Sequence, residues 1–263
     1  MRITVPVTTL VVIALAGCNS KKQEEKPGVE VIEQTYKVEP NATVRITNAR
    51  GSVTIRGEDT SEVRMRAVKS GSSAAQLKAV AVDVTAEPGD VLIKTTFPRQ
   101  KKMPSFTGAN AVDLTLSVPR SARIARVDVD DGNVSIDGIQ NSIGANVVNG
   151  QLAIRNCCGE LKITMANGAL DFLYGRCAGP YFSADAQVLH GDVRVAVTRD
   201  AAIRLHGETL NGKIANNSGP MVGLNGQVLR KIDLPFGNGR RCDLTVRVTS
   251  GDIIIVPTEP GAH

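Results

Sequence analysis

Aromatic side chains are scarce in this 263-residue sequence, at 3% of residues with no Trp, three Tyr and five Phe. Sugar-binding clefts and single-stranded nucleic-acid sites use such rings as stacking platforms, so the chain offers few of them. The net charge of +5 is too small a bias to indicate a nucleic-acid partner. With only three His and five Cys, the composition favours neither a multi-metal protein nor a disulfide-dense scaffold. We therefore expect no cofactor, no metal site and no nucleic-acid binding.

Long hydrophobic runs are also lacking, and the apolar run at residues 3–16 is short. Spanning a bilayer of about 30 Å takes about 20 residues, so this run fits the apolar core of a signal peptide instead. It ends in Leu15-Ala16-Gly17-Cys18, which resembles a bacterial lipobox. The resemblance implies cleavage before Cys18, a diacylglycerol thioether on that cysteine, and a further acyl chain such as palmitate on the new N-terminus. The sequence thus predicts a lipoprotein signal peptide over residues 1–17 and lipidation at Cys18.

The segment after Cys18 is polar, charged and almost free of apolar residues as far as Gly28. Such a composition predicts a flexible tether, which we assign to residues 18–34. Acyl chains at Cys18 would make the membrane a partner of the chain, because each buried CH₂ group contributes about 0.8 kcal/mol. Residue 19 is Asn rather than Asp, and by resemblance to Gram-negative sorting rules this favours the outer membrane. The expected localisation is therefore the cell envelope, with the leaflet left open.

Apolar residues in the rest of the chain alternate with a period of two, as in Val112, Leu114 and Leu116. This alternation predicts strands, and the short candidate helix at residues 72–79 is an exception. Strands are separated by a recurring unit in which Asn, Asp, His or Ser precedes a glycine that a branched apolar residue follows two positions later. We expect structural turns at the glycines of these units and of a looser copy near the N-terminus: Gly51, Gly132, Gly150, Gly168, Gly191, Gly212 and Gly251.

Two architectures compete for this pattern. An Asn-Gly dipeptide between alternating apolar runs is a strong hairpin signal, so residues 161–172 alone would form an antiparallel hairpin. A repeat of 18 residues from Gly132 to Gly150 and again to Gly168 favours coils that stack their inward residues. We predict an all-β fold, with a parallel β-helix or β-solenoid-like repeat region over residues 120–256. A more irregular N-terminal β region would cap one end of that repeat region.

The order of these elements resembles the bacterial "putative adhesin" family of GIN-type domains, which is related to auto-transporter adhesin heads. The likeness is carried by residues 114–119, by residues 127–136 with their Asp131-Gly132 turn, and by the closing residues 244–255. Residues 257–263 are expected to form a disordered tail. The resemblance implies a β-solenoid domain over residues 35–256 of an exported or membrane-tethered protein. It implies no catalytic residues.

Four cysteines besides Cys18 are candidates for disulfide bonds, because an exported chain favours oxidation. Cys158 lies eight residues after Gly150 and Cys177 nine residues after Gly168, so the two would nearly superpose on stacked coils. We favour a Cys158–Cys177 bridge, or Cys157–Cys177 if the register slips by one. Cys242 would take the remaining partner or stay reduced.

Catalytic motifs are not evident. His190 stands where Asn149 and Asn167 stand before their glycines, so a turn role is the simplest reading. Carboxylates such as Asp128, Asp130 and Asp171 would support glycoside hydrolysis only if they converged in a cleft. The sequence predicts a non-enzymatic, lipid-anchored binding, adhesion or scaffolding protein, with an envelope protein or polysaccharide as partner and no small-molecule substrate. The alternatives are a carbohydrate-active enzyme on a β-helix and an accessory of an envelope-stress signalling system.

Overall fold

The computed structural model describes residues 28–98, 110–174, 182–198, 203–217, 229–236 and 242–258. These residues form an all-β structure in which the six-residue α1 is the one helix within the described ranges. No helix in those ranges has the length and apolar character needed to cross a bilayer. The elements are β1 (Gly28–Lys37), β2 (Thr43–Arg50), β3 (Val53–Glu58), β4 (Glu62–Gly71), α1 (Ala74–Ala79), β5 (Ala81–Glu87), β6 (Asp90–Thr96), β7 (Ala111–Pro119), β8 (Arg123–Asp131), β9 (Val134–Asp137), β10 (Ile143–Arg155), β11 (Glu160–Tyr174), β12 (Phe182–His190), β13 (Val193–Thr198), β14 (Ile203–Asn211), β15 (Ile214–Asn216), β16 (Lys231–Phe236), β17 (Cys242–Ser250) and β18 (Ile253–Thr258).

The strands pair into two stacks of hydrogen-bonded neighbours. The first stack follows the order β5, β6, β2, β8, first half of β10, first half of β11, β12, β17, β14 and β16. The second follows the order β1, β4, β7, β3, β9, second half of β10, second half of β11, β13, β18 and β15. The pairings are parallel except at the ends, where β5, β1, β4 and β16 run antiparallel to their neighbours.

Each stack buries one face, as the alternating sequence predicts. In β10, Ile143, Val147 and Leu152 are almost fully buried while Asn146 between them is exposed. Successive side chains of a strand point to opposite faces, so every buried residue shares its face with its neighbours in the stack. The buried faces of both stacks contribute to one hydrophobic cluster, which therefore forms a single continuous core.

A rung consists of one strand from each stack, joined at a glycine of the repeating unit. In space the rung glycines follow the order Gly51, Gly132, Gly150, Gly168, Gly191, Gly251 and Gly212, as the close approach of each to the backbone of its predecessor shows. Along the chain Gly212 follows Gly191 and Gly251 comes last. The order in space differs from the order in the chain, because β17 and β18 pair with β12 and β13 on one side and with β14 and β15 on the other.

The hairpin alternative for residues 161–172 is wrong. Strand β11 continues through Asn167 and Gly168 without reversing, and Gly168 lies beside Gly150 in a parallel register. Gly168 has φ of +135°, and a Cβ atom there would lie 1.7 Å from the carbonyl oxygen of Gly150. Glycine at this position permits both the unusual dihedral and the close approach of consecutive rungs. The Asn-Gly pair therefore marks a bend within a strand that passes from one stack to the other.

The N-terminal region pairs its outer strands antiparallel, and one of these strands includes residues that were expected to belong to the tether. Residues 28–34, which the sequence interpretation assigned to the tether, form most of β1 and pair with β4 from Gly28↔Gly71 onward. The physical reason is that Ile32 and Tyr36 pack against the core while β4 satisfies the backbone of β1. At the other terminus, Pro257 and Thr258 belong to β18 rather than to a tail, through pairing with β13.

Helix α1 lies at the same end of the molecule, within the predicted helical segment. The hydroxyl of Ser73 accepts a hydrogen bond from the backbone N–H of Gln76, which is the N-cap arrangement expected of serine. Leu77 is the buried residue of the helix. Together with β1 and β4, α1 covers the N-terminal end of the second stack.

Candidate interaction surface

A ladder of polar side chains follows the glycine corners along the outside of the stacks. The Nδ2 atom of Asn167 donates to Oδ1 of Asn149 at 2.9 Å, and Nδ2 of Asn149 donates to Oδ1 of Asp131 at 2.8 Å. The position directly before the rung glycine is occupied on other rungs by residues such as His190 and Ser250. Stacked amide groups satisfy one another along the axis, as expected when identical residues repeat in register. The ladder thus fixes register and presents an exposed polar edge.

The residue after the rung glycine builds a second ladder. Oδ1 of Asn133 accepts from the backbone N–H of Gln151 at 3.0 Å, and Oδ1 of Asp192 accepts from that of Asp252 at 2.8 Å. Oδ1 of Asp252 in turn accepts from the N–H of Lys213 at 3.0 Å. These side chains serve as acceptors for backbone donors at the corner, which would otherwise lack a partner. The carboxylates in this ladder therefore stabilise the bend.

Charged residues on the outward face of the first stack form ion pairs between neighbouring strands. Arg247 Nη1 lies 2.9 Å from Asp185 Oδ1, and Arg204 Nη2 lies 2.6 Å from Asp233 Oδ2. The hydrogen bond from Arg204 holds the pKa of Asp233 below its usual value, and a hydrogen bond from Lys162 does the same for the pKa of Glu160. Such exposed pairs contribute little stability individually. The outward face of the first stack is therefore hydrated, and its positive and negative charges balance within these pairs.

The carboxylates considered for glycoside hydrolysis do not converge. Asp128 lies on β8 in the first stack and pairs with Arg126, whereas Asp171 lies in the half of β11 that belongs to the second stack. Asp171 Oδ1 is 4.0 Å from Arg194 Nη1. A cleft of about 200 Å³ contains Asp130 and Asp131, with neither Asp128 nor Asp171 in its lining. The geometry needed for an acid and base pair is therefore not formed by Asp128, Asp130 and Asp171.

His190 and His206 lie apart from each other. His190 is level with Asn167 and Ser250 in the corner ladder. His206 lies further from the corner, with Nδ1 3.4 Å from Oδ1 of Asp233. Across the part of the chain that the structure describes, no group of three or more His, Cys, Asp or Glu side chains is arranged to hold a metal ion.

Two adjacent cysteines follow the second half of β10. Cys157 is a buried thiol whose Sγ lies 3.0 Å from the carbonyl oxygen of Arg155. Burial raises the pKa of the Cys157 thiol to about 11. Cys158 is also buried, and its backbone N–H donates to the carbonyl of Ile139 at 2.8 Å. Cys18 and Cys177 lie outside the described residues, as does the side chain of Cys242.

A buried polar network in the N-terminal region was missed at the sequence level. Asn48 is fully buried, and its Nδ2 donates to the carbonyl oxygen of Val112 at 2.9 Å and to that of Gly51 at 3.2 Å. The hydroxyl of Thr95 donates to Oδ1 of Asn48 at 2.7 Å. The signal was present, because Asn48 continues the inward alternation of Val44 and Ile46. A polar residue at an inward position needs partners, and here they join β2, β6 and β7.

Comparisons with known proteins bear on the fold. No protein-family model matches the chain, and no curated protein matches it. The crystal structure of a "putative cell adhesion protein" from Clostridium sporogenes aligns with a TM-score of 0.52 at 13% identity, covering 89% of this chain and 100% of that one. A "putative adhesin" from Bacteroides fragilis aligns with a TM-score of 0.31 at 10% identity, covering 86% and 97%. A "putative lipid binding protein" from Parabacteroides distasonis aligns with a TM-score of 0.32 at 9% identity, covering 89% and 96%. The likeness to the Clostridium sporogenes structure shows that the two chains share a fold.

Proposed function

We propose that this protein is a lipid-anchored β-solenoid of the cell envelope, with a non-enzymatic role in binding, adhesion or scaffolding. The observation that carries the proposal is the parallel, in-register stacking of rungs around one core. Stacking of this kind yields extended, regular outer faces, which repeat proteins commonly use as contact surfaces. The fold shared with a protein described as a "putative cell adhesion protein" agrees with that role.

The predicted anchor at Cys18 would hold the start of β1 close to the membrane. Nine residues, 19–27, separate Cys18 from the start of β1 at Gly28. A fully extended chain covers at most about 3.6 Å per residue, so the N-terminal end of the second stack would stay within about 36 Å of the membrane surface. The opposite end, with β14, β15 and β16, would then lie furthest from the anchor. An envelope protein or polysaccharide is the expected partner.

The carbohydrate-active enzyme is the weaker candidate, because Asp128 and Asp171 lie on different stacks. No observation on the described residues favours the envelope-stress accessory over a binding protein.

The experiment is metabolic labelling with a palmitate analogue in a Gram-negative host, followed by membrane fractionation. The wild type should carry the label and sediment with the outer membrane, whereas Cys18→Ala should lose the label. Cys157→Ala is the matched control and should remain labelled. Equal labelling of the wild type and Cys18→Ala would contradict the anchor. A screen of envelope glycans and proteins against the released domain then tests binding, and glycan cleavage during that screen would contradict a non-enzymatic role.

A further inference from the structure

The hydroxyl of Ser117 is an unsatisfied polar group on the outer face of β7. Leu116 and Val118 on either side are fully buried in the core, so Ser117 points to the opposite face of the strand. Its Oγ atom is nevertheless shielded from solvent and has no hydrogen-bond partner among the residues that the structure describes. Such a group carries a free-energy cost that a suitable ligand relieves. An unsatisfied hydroxyl in a folded protein therefore calls for an explanation.

Two arginines flank this hydroxyl on the same face. The strand register places Ser117 directly opposite Arg64 of β4 on one side and Arg56 of β3 on the other. Both arginines are exposed, and 59% of the Arg64 side chain is accessible. Arg64 lies 3.4 Å from Glu62, while Arg56 makes no ion pair within the described ranges. One positively charged side chain from each neighbouring strand therefore lies beside the unsatisfied hydroxyl of Ser117.

We propose that Arg56, Arg64 and Ser117, together called the β7 cradle, bind a phosphate group. The three donors approach from three adjacent strands that are about 4.8 Å apart. A phosphate presents oxygens in several directions and can accept from all three, whereas a carboxylate offers two oxygens in one plane. Guanidinium groups are well suited to phosphate, and the serine hydroxyl gains the acceptor that the free protein lacks.

Neighbouring carboxylates set the strength of the cradle. Asp137 of β9 lies opposite Arg56 on the side away from Ser117, and Glu62 lies two residues from Arg64. Oδ1 of Asp137 already accepts a hydrogen bond from Asn156 Nδ2 at 3.1 Å. Asp137 therefore neutralises part of the positive field without occupying the cradle. Removal of this one negative charge should tighten phosphate binding, in the opposite direction to loss of an arginine.

The test is calorimetric titration of the purified mature protein, held in a neutral detergent, with two soluble probes. Inorganic phosphate represents the free ion, and glycerophosphoglycerol represents the phosphodiester of a lipid headgroup. Arg56→Gln should weaken binding of the preferred probe about tenfold. Ser117→Ala should weaken it about threefold while leaving the fold at least as stable, because the unsatisfied hydroxyl is removed. Asp137→Asn should strengthen it about twofold to fivefold.

Arg247→Gln is the matched control, since Arg247 is an exposed arginine on the outer face of the first stack. It should leave phosphate binding unchanged. Tighter binding of the phosphodiester would assign the cradle to lipid headgroups, and tighter binding of inorganic phosphate would assign it to the free ion. Equal weakening by Arg56→Gln and Arg247→Gln, or no saturable binding of either probe, would overturn the proposal. This outcome is independent of the anchor at Cys18, which the palmitate experiment tests separately.

Discussion

A Cβ atom placed on Gly251 would lie 2.1 Å from the carbonyl oxygen of Gly191, although 60 positions separate the two in sequence. The next glycine in space is Gly212, whose Cβ would lie 1.9 Å from the carbonyl oxygen of Gly251. The last rung of the chain is therefore inserted between two earlier ones. This insertion ties the C-terminal strands into the middle of the parallel array, so the chain end is held by pairing on both sides.

Replacing a rung glycine with a residue that carries a Cβ atom should lower the free energy of unfolding. Gly168→Ala would place a methyl group 1.7 Å from the carbonyl oxygen of Gly150, at φ of +135°. We expect it to lower the free energy of unfolding by about 2–4 kcal/mol, measured by urea denaturation. Gly89→Ala is the control, because the nearest atom to its Cβ would be Glu39 Oε2 at 3.7 Å. Similar stability of the two variants would contradict the close stacking of rungs.

The buried amide of Asn48 should be essential to the N-terminal region. Asn48→Ala leaves the hydroxyl of Thr95 and the carbonyl of Val112 without their present partner. Because buried polar groups lose hydrogen bonds in this variant, its free energy of unfolding should fall by about 2–4 kcal/mol. Asn146→Ala, at an exposed position in β10, should change the free energy of unfolding by less than about 0.5 kcal/mol. Chemical denaturation of both variants checks this, and equal effects would show that Asn48 is not a tie between strands.

The thiol of Cys157 predicts a pH dependence of stability. Burial raises the thiol pKa from 9.0 to about 11, so the folded state retains a proton that the unfolded state has released over this interval. Stability linked to this group is present below pH 9.0 and is lost as pH rises toward about 11. The loss should be about 2–3 kcal/mol at its limit. Unfolding of the wild type and Cys157→Ala between pH 8 and pH 11 measures it, and identical slopes would contradict the burial of this thiol.

The disulfide pairing remains a prediction from the spacing of the cysteines. We expect mass mapping without reduction to find a Cys158–Cys177 bridge in the oxidised protein and Cys157 as a buried thiol. The buried thiol is protected from exchange because its raised pKa leaves little thiolate near pH 7. A bridge from Cys157 to Cys177 would show that the register is shifted by one residue.

Much of the local structure could be predicted from the sequence. Alternation marked inward residues such as Ile143 and Leu152, and the 18-residue spacing matches the register of Gly150 with Gly168. The choice between a hairpin and a continuous strand at Asn167-Gly168 depended on this repeat, because the dipeptide alone favours the hairpin. Local sequence patterns therefore indicate which residues of a strand point into the core.

The order of the last rungs could not be predicted. The inward residues of β12, β14 and β17, for example Val188, Leu205 and Val246, are all apolar and almost fully buried. Any of these rungs could pack on another at similar cost, so the pattern does not specify which pair is adjacent. The β7 cradle was missed for a related reason. Arg56 and Ser117 are 61 positions apart, and only the pairing of β3 with β7 brings them together.

Pairs of introduced cysteines test the rung order most directly. Gln187 and Arg247 are opposite each other on adjacent strands, and Arg247 is likewise opposite Glu208, so Gln187 and Glu208 are two strands apart. Adjacent strands place Cα atoms about 4.8 Å apart and alternate strands about 9.6 Å, while a disulfide needs less than about 7 Å. Mild oxidation followed by mass mapping should therefore find the bridge in the variant combining Gln187→Cys with Arg247→Cys. A bridge in the variant combining Gln187→Cys with Glu208→Cys, and none in the first, would contradict the insertion of the last rung between its predecessors.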